Sequence, residues 1–123
     1  MREPRHLVLI AHGSRRAASN DEIRAFTGRV STALTDHFER VSCAFLELAE
    51  PRISKAIDAA VQEGAGRIEL FPYFLAAGRH VAEDIPALVA AKRSEHPRVT
   101  LVLHEHLGAW EGFAEVIAAG LRR

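Results

Sequence analysis

Leu7-Val8-Leu9-Ile10-Ala11-His12-Gly13-Ser14 is the stretch from which the fold is read. Four consecutive branched aliphatic residues, with no polar alternation, describe a strand covered on both faces, as in parallel sheets flanked by helices. The run ends abruptly in a polar turn. Beyond it, Ser19 and Glu22 stand at capping-box spacing, and Ile23, Phe26, Val30, Ala33 or Leu34, and Phe38 recur at helical spacing. The same alternation continues to the end of the chain. Residues 41–48 predict a second strand leading into Ala49-Glu50-Pro51, and Ile53, Ala56, Ile57, Ala60 and Val61 a second helix closed by Gly64 and Gly66. Residues 67–75 predict a third strand, with Pro72 barring regular central-strand pairing near its end. After a loop at Gly78-Arg79-His80, a third helix is expected from residues 84–86 through Leu88, Val89 and Lys92, stopped at His96-Pro97. Residues 99–103 predict the fourth strand. Trp110, Phe113, Ala114, Ile117 and Leu121 predict a closing amphipathic helix.

Four strand–helix units with short connections predict an α/β, flavodoxin-like fold over residues 1–123 as one domain. Its sheet would be parallel and four-stranded, with helices on both faces in three layers. Sixteen Lys and Arg balance sixteen Asp and Glu, so net charge points neither to nucleic acid nor to a membrane surface. The single cysteine, Cys43, lies in an apolar run and reads as a buried, inert thiol. The apolar run at residues 7–10 is too short for a signal peptide or a membrane span, so a cytoplasmic protein is expected.

Placed on this scheme, the polar residues converge. His12 follows the first strand, Glu47 lies near the end of the second, His80 follows the third, and His104-Glu105-His106 follow the fourth. All stand at the carboxyl edge of the sheet, where doubly wound folds bind ligands. If the first and third strands are neighbours, His12 and His80 meet. Two imidazoles suit Co²⁺, Ni²⁺, Fe²⁺ or Zn²⁺, and a carboxylate adds a third ligand or a proton acceptor. His104 and His106 alternate along an extended segment, so at most one faces the same cleft. His106 is the better candidate. His6, His37 and His96 read as surface residues, Gly13 and Gly78 as backbone-shaping positions.

Three strings give this placement a family context: Leu7-Val8-Leu9-Ile10-Ala11-His12-Gly13-Ser14-Arg15, Phe45-Leu46-Glu47-Leu48-Ala49-Glu50-Pro51, and Phe71-Pro72-Tyr73-Phe74-Leu75-Ala76-Ala77-Gly78-Arg79-His80-Val81. Together with Asp84-Ile85-Pro86 and Leu107-Gly108, they resemble the class II tetrapyrrole chelatases. The similarity is to the sirohydrochlorin cobaltochelatase and ferrochelatase family in its short form. The resemblance implies a chelatase-like fold and insertion of Co²⁺ or Fe²⁺, with Ni²⁺ a further candidate, into sirohydrochlorin, in cobalamin or siroheme synthesis. The metal is then a substrate, and no tightly bound cofactor is expected. The resemblance also implies that His12 and His80 bind the metal facing the tetrapyrrole plane, with Glu47 in the same cleft. One of these three would accept pyrrole protons. Ser14, Arg15, Arg52 and Arg79 flank the cleft as candidate partners for the macrocycle's carboxylates, Ser14 otherwise shaping its turn. Longer relatives carry two such halves, so this chain is expected to form a homodimer.

Other classes are weighed on the same residues. Histidine phosphatases carry Arg before the first-strand His-Gly, where this chain has Ala11. A nucleotide-binding loop would want small residues where Arg15 and Arg16 stand. A metal-binding or transfer protein would use the same His pair without a tetrapyrrole.

Overall fold

A computed structural model describes residues 3–123 of the chain. Its elements alternate as β1 (Arg5–Ala11), α1 (Ala17–Ala33), β2 (Arg40–Phe45), α2 (Ile53–Gln62), β3 (Arg67–Pro72), α3 (Ile85–Glu95), β4 (Thr100–Leu103) and α4 (Phe113–Leu121). A π-helical turn, His80–Asp84, leads into α3, and a 3-10 turn, Leu107–Ala109, precedes α4.

The four strands form one parallel sheet in the order β2-β1-β3-β4. The fold is α/β and flavodoxin-like, as expected. The connection through α1 runs one way from β1, and those through α2 and α3 run the other way. Right-handed crossovers therefore put α1 on one face and α2 with α3 on the opposite face. Strand order reverses between β1 and β3, so their carboxyl ends flank the switch-point crevice.

Alternation along β1 explains its unbroken apolar run. Val8 and Ile10 join Ala44, Ile68 and Leu70 against Ile53 and Ile57 of α2 and Ile85 and Val89 of α3. Leu7 and Leu9 join Phe45 and Phe71 on the other face, against Phe26 and Val30 of α1. Every β1 side chain from His6 onward is buried, so neither parity could be polar without a partner. Cys43 belongs to the second cluster as a buried free thiol.

Several boundaries differ from the sequence expectation, each for a local reason. β2 stops at Phe45, because the Phe45 N–H donates to Pro51 O at 2.9 Å and Leu48 turns to a φ of 66°. β3 stops at Pro72, and Phe74 N–H folds back onto Pro72 O at 3.0 Å. α1 begins at Ala17 without a side-chain cap, so Ser19 lies inside its first turn and the capping box does not form. Phe38 lies beyond the end of α1 but still packs on the second cluster. His80 sits in the π-helical turn rather than a loop. Gly78 needs no left-handed φ, and a Cβ there would meet nothing within 4 Å. Trp110 precedes α4 instead of starting it, and α4 buries none of its residues. His6 is buried, 7% exposed, rather than a surface residue, because it lies on the inner strand β1. His96 is tied to Asp58 at 2.9 Å, whereas His37 is exposed.

One polar group inside the sheet predicts an acid response. Glu69 on β3 is 5% exposed and accepts hydrogen bonds from Arg5 Nη2 (2.7 Å), Arg67 Nε (3.0 Å) and His104 Nε2 (2.8 Å). Burial pushes its carboxyl pKa up, but the hydrogen bonds from Arg5, His104 and Arg67 outweigh that and lower it from 4.5 to about 2. A depressed folded-state pKa gives stability that is fully present above pH 4.5 and is lost as pH falls towards 2. The shift corresponds to an upper value on the order of 3 kcal/mol. Glu69→Gln is expected to lose about 2–3 kcal/mol at pH 7 and to show a flatter loss of stability between pH 4.5 and 2. Urea unfolding across that pH range tests this, and an unchanged slope would remove Glu69 from the acid response.

Candidate metal centre

Three strand ends build the site. After β1 the chain turns at Gly13, whose φ is 96°. The turn is stitched to the segment after β2 by Leu46 N–H donating to Ala11 O (3.0 Å) and Glu47 N–H donating to His12 O (3.1 Å). Behind it, the carboxamide of buried Asn20 accepts from Ser14 N–H (3.0 Å) and donates to Ser14 O (2.8 Å). Asn20 thus pins the loop from within α1. After β3, the π-helical turn brings His80 and Asp84 together four positions apart, with His80 Nδ1 donating to Asp84 Oδ2 at 2.8 Å.

These backbone paths bring His12, Glu47 and His80 together. Their ligand atoms all lie within 4.8 Å of one another. The His12 and His80 ring centroids are 5.9 Å apart, and His12 Nε2 is 3.0 Å from Glu47 Oε2. The side chains are 55%, 45% and 51% exposed for His12, Glu47 and His80, so the cluster faces an open crevice. A carboxylate only accepts, so the Asp84 bond puts the His80 proton on Nδ1 and leaves the Nε2 lone pair free. The Glu47 carboxylate likewise accepts from His12 Nε2, and an ion binding at that nitrogen requires the imidazole proton to move to Nδ1, which keeps the ring neutral and leaves the carboxylate free. Three donors of this kind fit a borderline divalent ion and leave coordination positions open.

The other expected residues are placed more loosely. Arg52 stands at the N-cap position of α2 without a side-chain capping bond and lines a cavity of about 310 Å³ with Leu46, Glu47, His80, Asp84 and Leu88. Arg15 is exposed beside the His12 loop, and Arg79 is 82% exposed, 3.5 Å from Glu83. Ser14 Oγ accepts from Arg16 N–H at 3.0 Å, which is turn-shaping geometry. His104 is turned away to Glu69, and His106 belongs to no metal-competent cluster among the described residues. Residue-by-residue reading missed Asn20 and the partnership of Asp84 with His80. The latter had a faint signal in the His-x-x-x-Asp spacing.

A second group, Asp58, Glu95 and His96, also has converging donors. There the Lys92 ammonium, 5% exposed, already occupies the cation position, 2.9 Å from Asp58 and 3.2 Å from Glu95. Hydrogen bonds from Lys92 and His96 lower the Asp58 pKa. That cluster clamps α2 to α3.

Known proteins resemble this chain along most of its length. The family model named CbiX matches residues 6–123. The chain is 33% identical over 111 residues to the chloroplastic sirohydrochlorin ferrochelatase of Arabidopsis thaliana, covering 90% of this chain and 48% of that protein. It is 36% identical over 90 residues to the sirohydrochlorin cobaltochelatase of Methanocaldococcus jannaschii, covering 73% of this chain and 62% of the relative. The crystal structure of the sirohydrochlorin chelatase SirB from Bacillus subtilis subspecies spizizenii, in complex with cobalt, superposes with a TM-score of 0.83 at 25% identity. That match covers 97% of this chain and 50% of the SirB chain. The chain thus spans about half to three fifths of the length of these relatives. With a match along nearly its whole length, the chain belongs to the CbiX family.

Proposed function

We propose that this chain is a sirohydrochlorin chelatase that inserts a divalent metal, Co²⁺ or Fe²⁺, into the metal-free macrocycle. The observation that carries this is the cluster of His12, Glu47 and His80 ligand atoms within 4.8 Å at the open switch-point crevice. His12 and His80 hold the partly dehydrated ion beside the ring, which is a proximity effect. Glu47, released from His12 when the ion binds, accepts one of the two pyrrole protons that the metal displaces, and the other leaves to solvent through the open crevice. With only three protein donors the ion can leave, as a substrate must. Ser14, Arg15, Arg52 and Arg79 line the approach to this crevice and pair with the macrocycle's acetate and propionate groups. The relatives' names, ferrochelatase and cobaltochelatase, support both metals. Imidazole and carboxylate donors do not rank them, and Ni²⁺ suits the same set.

We read residues 1–123 as one chelatase unit acting in the cytoplasm. Among the described residues no helix is long and apolar enough to cross a membrane. The crevice is open and its three candidate donors are about half exposed, and a second copy of this chain is proposed as its facing wall, giving a homodimer.

The test is optical. Purified protein, metal-free sirohydrochlorin and one of Co²⁺, Fe²⁺, Ni²⁺ or Zn²⁺ are mixed anaerobically, and the tetrapyrrole spectrum is followed. Acceleration over the uncatalysed rate with one or two ions is expected. Ion binding without acceleration would replace the chelatase with a metal-transfer protein.

Asp84 supplies a finer check. Removing the carboxylate that orients a metal-binding imidazole costs about 10–100-fold in metal affinity. Asp84→Ala is expected to weaken Co²⁺ binding by about that factor, with Asp84→Asn in between and the far-UV circular dichroism of both unchanged. Wild-type affinity in Asp84→Ala would show that the carboxylate does not set the His80 ring.

A further inference from the structure

The least satisfied part of the molecule is α4. Its nine residues, Phe-Ala-Glu-Val-Ile-Ala-Ala-Gly-Leu, contain one charge, Glu115, and none is buried. Val116, Ile117 and Leu121 are 68%, 48% and 82% exposed. A helix apolar on nearly all sides is stable in water only when covered, and nine residues are too few for a helix to persist alone.

The chain also carries an uncovered groove. Among the described residues, α1 is the one helix packed on the sheet face opposite α2 and α3, although four strands about 4.8 Å apart accommodate two helices about 10 Å apart. Beside α1 this leaves a groove of about 420 Å³ lined chiefly by Leu7, Val30, Leu34, Phe38, Phe71 and Trp110. Trp110 rests on Phe71 at 4.8 Å between ring centroids, at the point where the chain leaves the body. Gly112, with a φ of 94°, opens α4, and no residue of α4 lines the groove. Arg5 borders the groove, and its buried Nε lacks a hydrogen-bond partner, while α4 brings one carboxylate.

We propose that two copies of this chain exchange α4, each helix lying in the α1-side groove of the other copy. Helix and groove are both present once per chain, so the exchange closes on itself with two-fold symmetry and leaves neither surface exposed. In the assembled pair, Val116, Ile117 and Leu121 of one copy meet Val30, Leu34 and Phe38 of the other, and Glu115 comes within reach of the partner copy's Arg5. The inference rests on the two-copy reading above and is independent of metal insertion.

Disulfide trapping tests it. In a Cys43→Ala background, a tagged Val30→Cys chain and an untagged Ile117→Cys chain are co-expressed and oxidised. A cross-linked pair carrying one tag is expected. The double variant, Val30→Cys with Ile117→Cys, should give dimers linked twice. An internal link in a monomeric double variant would instead mean that α4 closes on its own groove, and the exchange fails. A dimer by light scattering that yields no cross-link overturns the exchange but leaves the two-copy reading standing. A 13.5 kDa monomer of the unmodified protein overturns both. As an independent measure, Ile117→Asp should reduce the mass from the dimer to 13.5 kDa with unchanged far-UV circular dichroism. Emission of the single tryptophan, Trp110, should shift to the red in the same variant. A dimeric Ile117→Asp variant with unshifted emission would also count against the exchange.

Discussion

His12→Ala or His80→Ala is expected to lower the rate of sirohydrochlorin metallation by about 100-fold or more while leaving the fold intact. Each imidazole is one of three donors in the cluster, so either substitution leaves two. Losing an outer-sphere partner already costs about 10–100-fold in affinity, and losing the ligand itself costs at least as much. The rate also loses the positioning of the ion beside the ring, which a two-donor site with mobile water no longer enforces. Stability should move by only about 0.5 kcal/mol, because both rings are half exposed and outside either core cluster. Glu47, left without His12, is 45% exposed and hydrates at little cost. Metallation rates at saturating metal, Co²⁺ titrations and thermal melts together separate these effects. Full turnover in both variants at saturating metal would remove the His pair from the mechanism.

The part of this site legible in the sequence is the part set by strand ends. A short Leu-Val-Leu-Ile run of branched residues, cut off by a polar turn, reads as a doubly covered strand, and the residue after it then emerges at the sheet edge, which is how His12 could be placed. His80 followed from the third apolar run and from β1–β3 adjacency, which the parallel order supplies. What stayed hidden depends on contacts between segments far apart in the chain. Glu69 reads as an anomaly in an apolar strand until Arg5, Arg67 and His104 arrive from β1, β3 and the end of β4. His104, set behind His106 on the sequence, shows its role only in the fold, because its partner lies 35 positions away. Ser19 and Glu22 satisfied a local capping pattern, yet the loop ahead of α1 is pinned by Asn20 instead. Periodicity also identified α4 as a helix without revealing that none of its residues is buried, because a helical pattern states which side wants burial and not where the burying surface lies.

Gly13→Ala is expected to be the most damaging single-methyl change near the site. A Cβ on Gly13 would lie 1.8 Å from the carbonyl oxygen of Glu47 and 3.0 Å from its carbon. The obstacle is backbone, so no side-chain rotation relieves it. The φ of 96° adds a second penalty, since non-glycine residues avoid this region at a cost of about 1–3 kcal/mol. The segment carrying Glu47 must therefore retreat by an ångström or more. Retreat breaks the pairs that join the two strand ends, Leu46 N–H with Ala11 O and Glu47 N–H with His12 O. The total loss should be about 2–4 kcal/mol, a fall of roughly 8–15 °C in Tm for a domain of this size. Activity should fall further than stability alone explains, because the same displacement pulls the Glu47 carboxylate out of reach of His12 and His80. A misplacement of about 1 Å at a reacting centre can cost on the order of 100-fold. Gly78→Ala is the matched control: it also follows a strand at the edge of the site, but its Cβ would enter open space. It should keep a near-native Tm and rate. Thermal melts and metallation rates of the two variants side by side make the comparison, and a Gly13→Ala protein as stable and active as Gly78→Ala would mean that the two strand ends are not held in register by this contact.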